Sequence, residues 1–170
     1  LEGVTINGDT TMPALSKLAV LGNLTYNGTL ILGNRVSLEF ASLVSGLLGN
    51  GTVIFDNQLD NEIVATLFGM TLTIGAGITI RGGNSASGTS TFMSRIYAKA
   101  SSVTLQVDGK IIVDSGRSIA VNRLTNTNLT PMRLVNNGTL DAGTGKLYIE
   151  GTFTTRGLGV LKRSNGEVNL

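Results

Sequence analysis

Cysteine and histidine are both absent from these 170 residues. Without cysteine there are no disulfides, thiolate metal ligands or cysteine nucleophiles. Without histidine the commonest general base and metal ligand is missing, and with it the serine nucleophile that histidine activates. No apolar run approaches the roughly 20 residues that a membrane-spanning helix needs. The side-chain chemistry open to this chain is therefore that of carboxylates, amides, hydroxyls and a few cations.

Charge, aromatic residues and proline are also scarce. Charged residues make up 14% of the chain and aromatic residues 5%, and there are 2 prolines against 23 glycines. The net charge of +2, with no basic cluster beyond Lys162 and Arg163, gives no sign of a nucleic-acid partner. The composition is too aliphatic and too weakly charged for disorder. Abundant glycine, threonine, asparagine and aliphatic residues instead favour many short strands joined by turns.

One short plan recurs along the chain. Each copy has a polar residue and a glycine, or a glycine pair, then a short aliphatic run and another corner: NGTLILGN (27–34), NGTVIFDN (50–57), GAGITIRG (75–82), DGKIIVDSG (108–116) and NGTLDAGTG (137–145). A finer step of six or seven residues lies inside this plan, and three steps make one coil of a three-sided solenoid. Period-two alternation predicts that one set of residues points inward: Leu72, Ile74, Ile78, Ile80, Val103, Leu105 and Val107.

The repeated Asn-Gly pairs allow two interpretations. Asn27-Gly28, Asn50-Gly51 and Asn137-Gly138 could be tight hairpin turns, which need positive φ, and the domain would then be an antiparallel β-sandwich. They could equally be corners of a solenoid, where residues that tolerate left-handed backbone also serve. Only the solenoid explains the six-to-seven-residue step. We therefore predict an all-β chain, a right-handed parallel β-helix of roughly seven coils, with the antiparallel β-sandwich as the alternative.

Three stretches depart from the repeat. Residues 10–22 are expected to form a loop or a short helix leading into a coil. Residues 84–102 are predicted to be an excursion in which Phe92, Ile96 and Tyr97 cover the solenoid wall. Residues 122–133 are predicted to be a second protruding loop. No domain boundary is visible, so we predict one solenoid unit over 1–170, with recognition carried by these two loops because scaffolds of this kind usually bind through loops.

The segments TLTIGAGITIRGG and RLVNNGTLDAGTGKLYIEGTF resemble the repeats of large secreted bacterial surface proteins. These include autotransporter passengers and filamentous-haemagglutinin-type adhesins. The resemblance covers residues 20–83 and 103–160, and the passage 84–102 does not match it. It implies a right-handed parallel β-helix, an extracellular location and a role as an adhesin or structural filament. It supplies no catalytic residues.

Acidic residues are the candidates for metal binding and catalysis. Asp56, Asp60 and Glu62 form the densest group and are candidates for Ca²⁺, which prefers oxygen ligands, although a solvated corner explains them better. Asp108 and Asp114 are candidates for the two carboxylates of a glycosidase, in which these groups stand about 5–10 Å apart. A lyase would use a cation such as Arg81 or Lys110. We favour corner residues without a catalytic role, and expect no catalytic residues and no cofactor.

Five asparagines lie in N-x-T sequons and are candidate glycosylation sites: Asn23, Asn27, Asn50, Asn128 and Asn137. Turn chemistry already accounts for the three that belong to Asn-Gly-Thr corners. The chain opens with LEGVTING and closes with RSNGEVNL, both of which continue the repeat without a recognisable cap. We therefore expect a segment of a longer solenoid or end-to-end self-association.

Taken together, these features predict an extracellular structural or adhesive scaffold without a transmembrane segment. Its predicted partners are copies of itself, a continuation of the chain, or a carbohydrate or host-surface ligand. The alternatives are a carbohydrate-active β-helix enzyme that uses Asp56, Asp60, Asp108 or Asp114, and a β-sandwich filament subunit.

Overall fold

The alternation of aliphatic and polar residues forms short strands that stack in a three-sided solenoid. The computed structural model describes residues 1–56, 60–83, 93–122 and 132–170, and these contain nineteen strands, β1 to β19. Every strand pairing among the described residues is parallel. The predicted parallel solenoid is therefore confirmed, and the antiparallel sandwich is wrong. No described helix is long or apolar enough to cross a membrane.

The chain visits three faces in a fixed order, which we call A, B and C. Face A contains β1 (Glu2–Asn7), the second half of β3 (Lys17–Asn27), β6 (Val44–Leu48), β9 (Thr71–Ile74), β12 (Thr104–Val107) and β15 (Arg133–Asn136). Face B contains β2 (Thr10–Met12), β4 (Thr29–Leu32), β7 (Gly51–Phe55), β10 (Ile78–Gly82), β13 (Lys110–Val113), β16 (Thr139–Asp141) and β18 (Val160–Lys162). Face C contains the first half of β3, β5 (Ser37–Phe40), β8 (Glu62–Ala65), β11 (Ser94–Ala98), β14 (Ser118–Val121), β17 (Lys146–Ile149) and β19 (Glu167–Asn169). Face B thus has one strand from each of seven coils.

The core is a set of aliphatic columns running along the solenoid axis. Leu72 pairs with Leu105, which pairs with Leu134, and all three are buried. A second column on face B runs through Leu30, Val53, Ile80, Ile111, Leu140 and Leu161. All seven residues predicted to point inward are buried. Since parallel strands lie about 4.8 Å apart, each side chain packs directly on its counterpart in the next coil.

The Asn-Gly pairs lie at the first corner, where the chain passes from face A to face B. A Cβ added at Gly138 would lie closer than 3.0 Å to the carbonyl oxygen of Gly109 in the coil below, and Gly109 is similarly crowded by Gly75. Neither Gly109 nor Gly138 has positive φ. The expectation that these corners need left-handed backbone is therefore wrong for these two coils, where glycine is required because successive coils approach too closely for a side chain.

At the second corner, between faces B and C, residues other than glycine also adopt the left-handed conformation. Leu15, Arg35 and Asp60 have φ of 62°, 56° and 55° there, and Gly116 has φ of 68°. Only one of these four residues is a glycine, so glycine does not mark the left-handed position of this corner.

The irregular stretches contain more strand than predicted. Residues 10–22 include β2 and the first half of β3, so the expected loop or helix is wrong. Within 84–102, β11 is a strand of face C; Ile96 belongs to the core, whereas Tyr97 is buried on the outer side of the wall. Phe92 lies outside the described residues, as do 84–91 and 123–131. Of the loop predicted at 122–133, Asn122 and Met132 are buried and Arg133 begins β15.

Candidate functional site

Amide side chains form hydrogen bonds from coil to coil along the first corner. Asn27 Nδ2 donates to Asn7 Oδ1 at 2.9 Å, and the Asn50 backbone N–H donates to Asn27 Oδ1 at 2.9 Å. Farther along, Asn137 Nδ2 donates to Asp108 Oδ1 of the preceding coil at 2.8 Å, and within that coil Gln106 Nε2 donates to Asp108 Oδ2 at 2.9 Å. These bonds indicate that the repeated Asn and Asp residues tie neighbouring coils together.

The sequon asparagines differ in how far they reach solvent. Asn23, Asn50 and Asn137 are exposed, whereas Asn27 is half-buried. The amide nitrogens that glycosylation would modify are engaged in Asn27 and Asn137, which donate to Asn7 and Asp108. Asn128 lies outside the described residues. Asn23 and Asn50 are therefore the more accessible acceptors among those that the structure describes.

Glu62, one of the calcium candidates, is held by an arginine and a tyrosine. Arg95 lies on the neighbouring coil, and its Nε donates to Glu62 Oε1 at 2.9 Å, where its Nη2 also donates. Tyr97 donates its hydroxyl to Glu62 Oε2 at 3.2 Å. The Arg95 guanidinium also lies over the Tyr97 ring, 4.8 Å from its centre. The charge of Glu62 is therefore balanced by a cation of the protein itself.

Asp60 stands beside the same arginine. Its Oδ1 is 3.9 Å from Arg95 Nη2, and burial raises the pKa of Asp60 although Arg95 opposes the rise. Asn61 is buried, and its Nδ2 donates to the backbone carbonyl of Asp56 at 3.0 Å, across residues 57–59. No three acidic residues among those the structure describes are grouped to hold a metal ion. The calcium hypothesis for Asp56, Asp60 and Glu62 thus gains no support.

Asp108 and Asp114 lie at opposite ends of β13. Asp108 is at the first corner and Asp114 at the second, so the extended strand between them separates them by about 15–20 Å. That is beyond the range of about 5–10 Å in which two carboxylates cleave a glycosidic bond. Arg81 donates to Asp114 Oδ1 from Nη2 at 2.8 Å and from Nε at 3.2 Å. The proposed pair is not brought together, and Lys110 is exposed at the start of β13.

A second charged cluster lies on the outside of face C. Glu39 is 7% exposed and stands between Lys17 and Lys99, with Lys99 Nζ 2.8 Å from its Oε1. Burial opposes ionisation of this carboxyl group, but the hydrogen bonds and charges of the two lysines outweigh it and lower the pKa of Glu39. This cluster joins the first, second and fourth coils.

The third corner, between faces C and A, contains a buried amide that the sequence did not reveal. Asn122 Nδ2 donates to the backbone carbonyls of Met132 and Glu150 at 3.1 and 2.6 Å, and the Met132 N–H donates to Asn122 Oδ1 at 3.0 Å. Asn122 has φ of 64°, a conformation that asparagine tolerates better than most residues. Its side chain joins Met132 to the end of β14 and, through Glu150, to the next coil.

A groove of about 370 Å³ opens on face A beside β15. Thr152 pairs with Arg133, and the Leu134 N–H donates to the Thr152 carbonyl at 2.9 Å. The chain then leaves face A, forms a short 3-10 helix at Arg156–Leu158 and returns as β18. In the seventh coil Thr152 forms only a single bridge to β15, where other coils have a full strand of face A. The groove occupies the rest of that strand position. Its lining includes two arginines, Arg133 and Arg156. Nothing in the sequence indicated that they would line the same groove.

Both ends of the solenoid present unfinished columns. At the last coil Leu161 is 36% and Leu170 is 69% exposed, and with Val168 they line a recess of about 230 Å³. Leu170 follows Asn169, the partner of Tyr148, and so continues the column of Ile149. At the first coil Leu18 is only partly buried. These side chains occupy core positions but lack a neighbouring coil.

Comparison with known proteins gives no relative: no protein family, no curated protein and no solved structure matches this chain.

Proposed function

We propose that this chain is a structural β-solenoid scaffold whose ends accept further coils, and that it acts in an adhesive or filamentous surface structure. The observation that carries the proposal is the exposure of core positions at the last coil, above all Leu170 and Leu161. A further coil would bury these side chains and pair the free edges of β18 and β19. That coil would come from a second copy of this chain or from continuation of the same chain.

The charged residues support a structural role. Asp108, Asp114 and Glu62, which were considered for catalysis or metal binding, each accept hydrogen bonds from side chains of a neighbouring coil. Such bonds oppose shear between coils and keep the columns in register. An acidic residue that accepts such hydrogen bonds holds neighbouring coils together, which is a structural role and not a catalytic one.

End-to-end association is tested by light scattering of the purified chain over a range of concentrations, with electron microscopy of the products. We expect the average mass to rise with concentration and the particles to lengthen without becoming wider. Leu170→Asp places a charge in the end column and should reduce the association at least about 10-fold. Val44→Asp is the matched control, because Val44 is 74% exposed on the outside of face A.

Two results would contradict the proposal. One is a wild-type chain that stays monomeric at the highest soluble concentration, which would exclude a second copy as the source of the added coil. The other is loss of association in Val44→Asp but not in Leu170→Asp, which would indicate contact through the side wall. Circular dichroism of both variants checks that they remain folded.

The extracellular location is also a proposal, supported by the resemblance of the repeats to secreted bacterial surface proteins. An antibody raised against the purified chain should label intact cells of the source organism, and brief protease treatment of those cells should remove the signal. Labelling that requires permeabilised cells would contradict it.

A further inference from the structure

We propose that the groove beside β15 binds an acidic polysaccharide through a carboxylate or sulfate group. The inference is independent of end-to-end association and rests on the lining of the groove. Arg133 and Arg156 stand on its two sides, one on β15 and the other on the 3-10 helix. Both side chains are exposed, and neither forms an ion pair or side-chain hydrogen bond with the described residues.

Two guanidinium groups without a carboxylate partner among the described residues, those of Arg133 and Arg156, line this one groove. Arg81 and Arg95 each form hydrogen bonds with a carboxylate on a neighbouring coil. Arg133 has Thr104 and Thr152 as its partners across the ladder, neither of which can neutralise it. A guanidinium presents a rigid fork of donors that matches an oxyanion, so two of them facing one groove favour a ligand with a carboxylate or sulfate.

The remaining lining favours a ligand rich in hydroxyl groups. Thr152, Thr154 and Asn137 line the groove with neutral polar atoms, and the half-buried ring of Phe153 supplies an apolar surface. Sugar rings have this combination of hydroxyl groups and an apolar C–H face. A volume of about 370 Å³ is within the usual range of small-ligand sites, about 300–1,000 Å³.

The groove is continuous with a row of hydroxyls along face A. Thr71 pairs with Thr104, which pairs with Arg133, so these side chains form one outward column that ends at the groove. Coils repeat about every 4.8 Å, a distance comparable to one sugar ring. A polysaccharide lying along the axis would therefore meet a hydroxyl in each of the two coils next to the groove, at Thr104 and Thr71, and its acidic group would meet the arginines.

The charge of the surroundings argues against a nucleic acid. The chain has a net charge of only +2, whereas a nucleic acid carries a phosphate at every nucleotide and requires several cations in a row. Asp108 also lies close, because its carboxylate accepts a hydrogen bond from Asn137 at the edge of the groove. This arrangement suits a ligand with widely spaced anionic groups.

The test is calorimetric titration of the full chain with a single-stranded oligonucleotide and with three defined oligosaccharides. These are heparin oligosaccharides, which carry sulfate and carboxylate, oligogalacturonate, which carries carboxylate alone, and neutral dextran oligosaccharides. We expect heparin, oligogalacturonate or both to bind, and the pattern identifies the preferred anionic group. Failure of both to bind, or equal binding of dextran, overturns the proposal. Equal or tighter binding of a single-stranded oligonucleotide also overturns it, since the site would then be one for polyanions in general.

Variants locate the site. Arg133→Gln and Arg156→Gln should each weaken binding about 10- to 100-fold, as expected for loss of a charge-assisted hydrogen bond. Arg163→Gln is the matched control, with the same change of charge in the last coil but outside this groove, and should change the affinity less than about 3-fold. Equal weakening by Arg163→Gln overturns the proposal. Asp108→Asn, which removes a nearby negative charge, should tighten binding about 2- to 5-fold, and weaker binding would contradict the assignment.

Discussion

The chain turns from one face to the next at both the first and the second corner of the solenoid, but the two corners place different demands on the residues there. At the first corner the backbone of each coil lies so close to the coil below that Gly109 and Gly138 have no room for a Cβ atom. At the second corner the chain turns through a left-handed residue, and Leu15 and Arg35 occupy this position in spite of the strain. The comparison teaches that Gly109 and Gly138 are needed because coils touch there, whereas the backbone of the second corner bends at residues that need not be glycine.

The largest expected difference in the free energy of unfolding is between two glycine-to-alanine substitutions, one at each corner. Gly138→Ala forces a Cβ into the Gly109 carbonyl, which cannot move without disturbing the fifth coil, and should lower the free energy of unfolding by more than about 3 kcal/mol. Gly116→Ala at the second corner meets no atom within 4 Å, so only the left-handed φ opposes it, at about 1–2 kcal/mol. Urea unfolding monitored by circular dichroism measures both. A smaller loss for Gly138→Ala than for Gly116→Ala would refute the distinction.

Much of the fold could be predicted because its signals are local. Alternation placed Leu72, Leu105 and similar residues in the core, and the recurrence of Asn-Gly located the first corner. The repeat also predicted a corner after each aliphatic run, but not which residue there is left-handed, because Leu15 and Arg35 are unusual choices for left-handed backbone. The strands β2 and β11 were not predicted either. β2 has only three residues, and β11 follows a long stretch that departs from the repeat, so neither shows a clear periodicity.

The candidate sites were harder to predict because they join residues from different coils. Glu62 meets Arg95 thirty-three positions later, whereas Asn137 meets Asp108 after twenty-nine. The separation depends on the length of each corner, so a carboxylate's partner cannot be found from a fixed spacing. Asp108 and Asp114 show the reverse case. They are close in sequence but lie at the two ends of one strand, so their carboxylates do not meet. For Asn122, the only available signal was an asparagine at the end of a strand, directly before a break in the repeat.

The third corner has a buried amide, Asn122, which can be compared with the exposed amide of Asn137 at the first corner. Asn122→Gly keeps the backbone free to adopt positive φ but removes three hydrogen bonds to Met132 and Glu150, and should cost about 2–3 kcal/mol. Asn137→Ala removes an exposed amide of the first corner and should cost less than about 1 kcal/mol, because water replaces its hydrogen bond. The same urea titrations apply. Equal costs would mean that burial does not distinguish the two corners.

The wall between corners provides a pH-dependent test. The pKa of Glu39 is lowered from its ordinary value of 4.5, so its contribution is fully present above that value and is lost as the pH falls through the lower folded-state pKa. Glu39→Gln should therefore cost about 1 kcal/mol at pH 7, limited by the exposure of both lysines, and progressively less in more acidic solution. Unfolding titrations from pH 7 to pH 3 measure the difference. A gap between the two proteins that widens on acidification would contradict this assignment.

The smallest expected effect comes from removing a side chain at the second corner. Leu15 is 74% exposed and has φ of 62°, so Leu15→Gly relieves left-handed strain of about 1–2 kcal/mol while adding a backbone-entropy cost of about 0.5–1 kcal/mol. The net result should be a gain in stability of about 0.5 kcal/mol, seen as a small upward shift of the melting temperature. Leu43→Gly is the control, because Leu43 is similarly exposed but has no positive φ, and it should be neutral or slightly destabilising. If Leu15→Gly were as destabilising as its control, the strain at the second corner would be too small to separate the two corners.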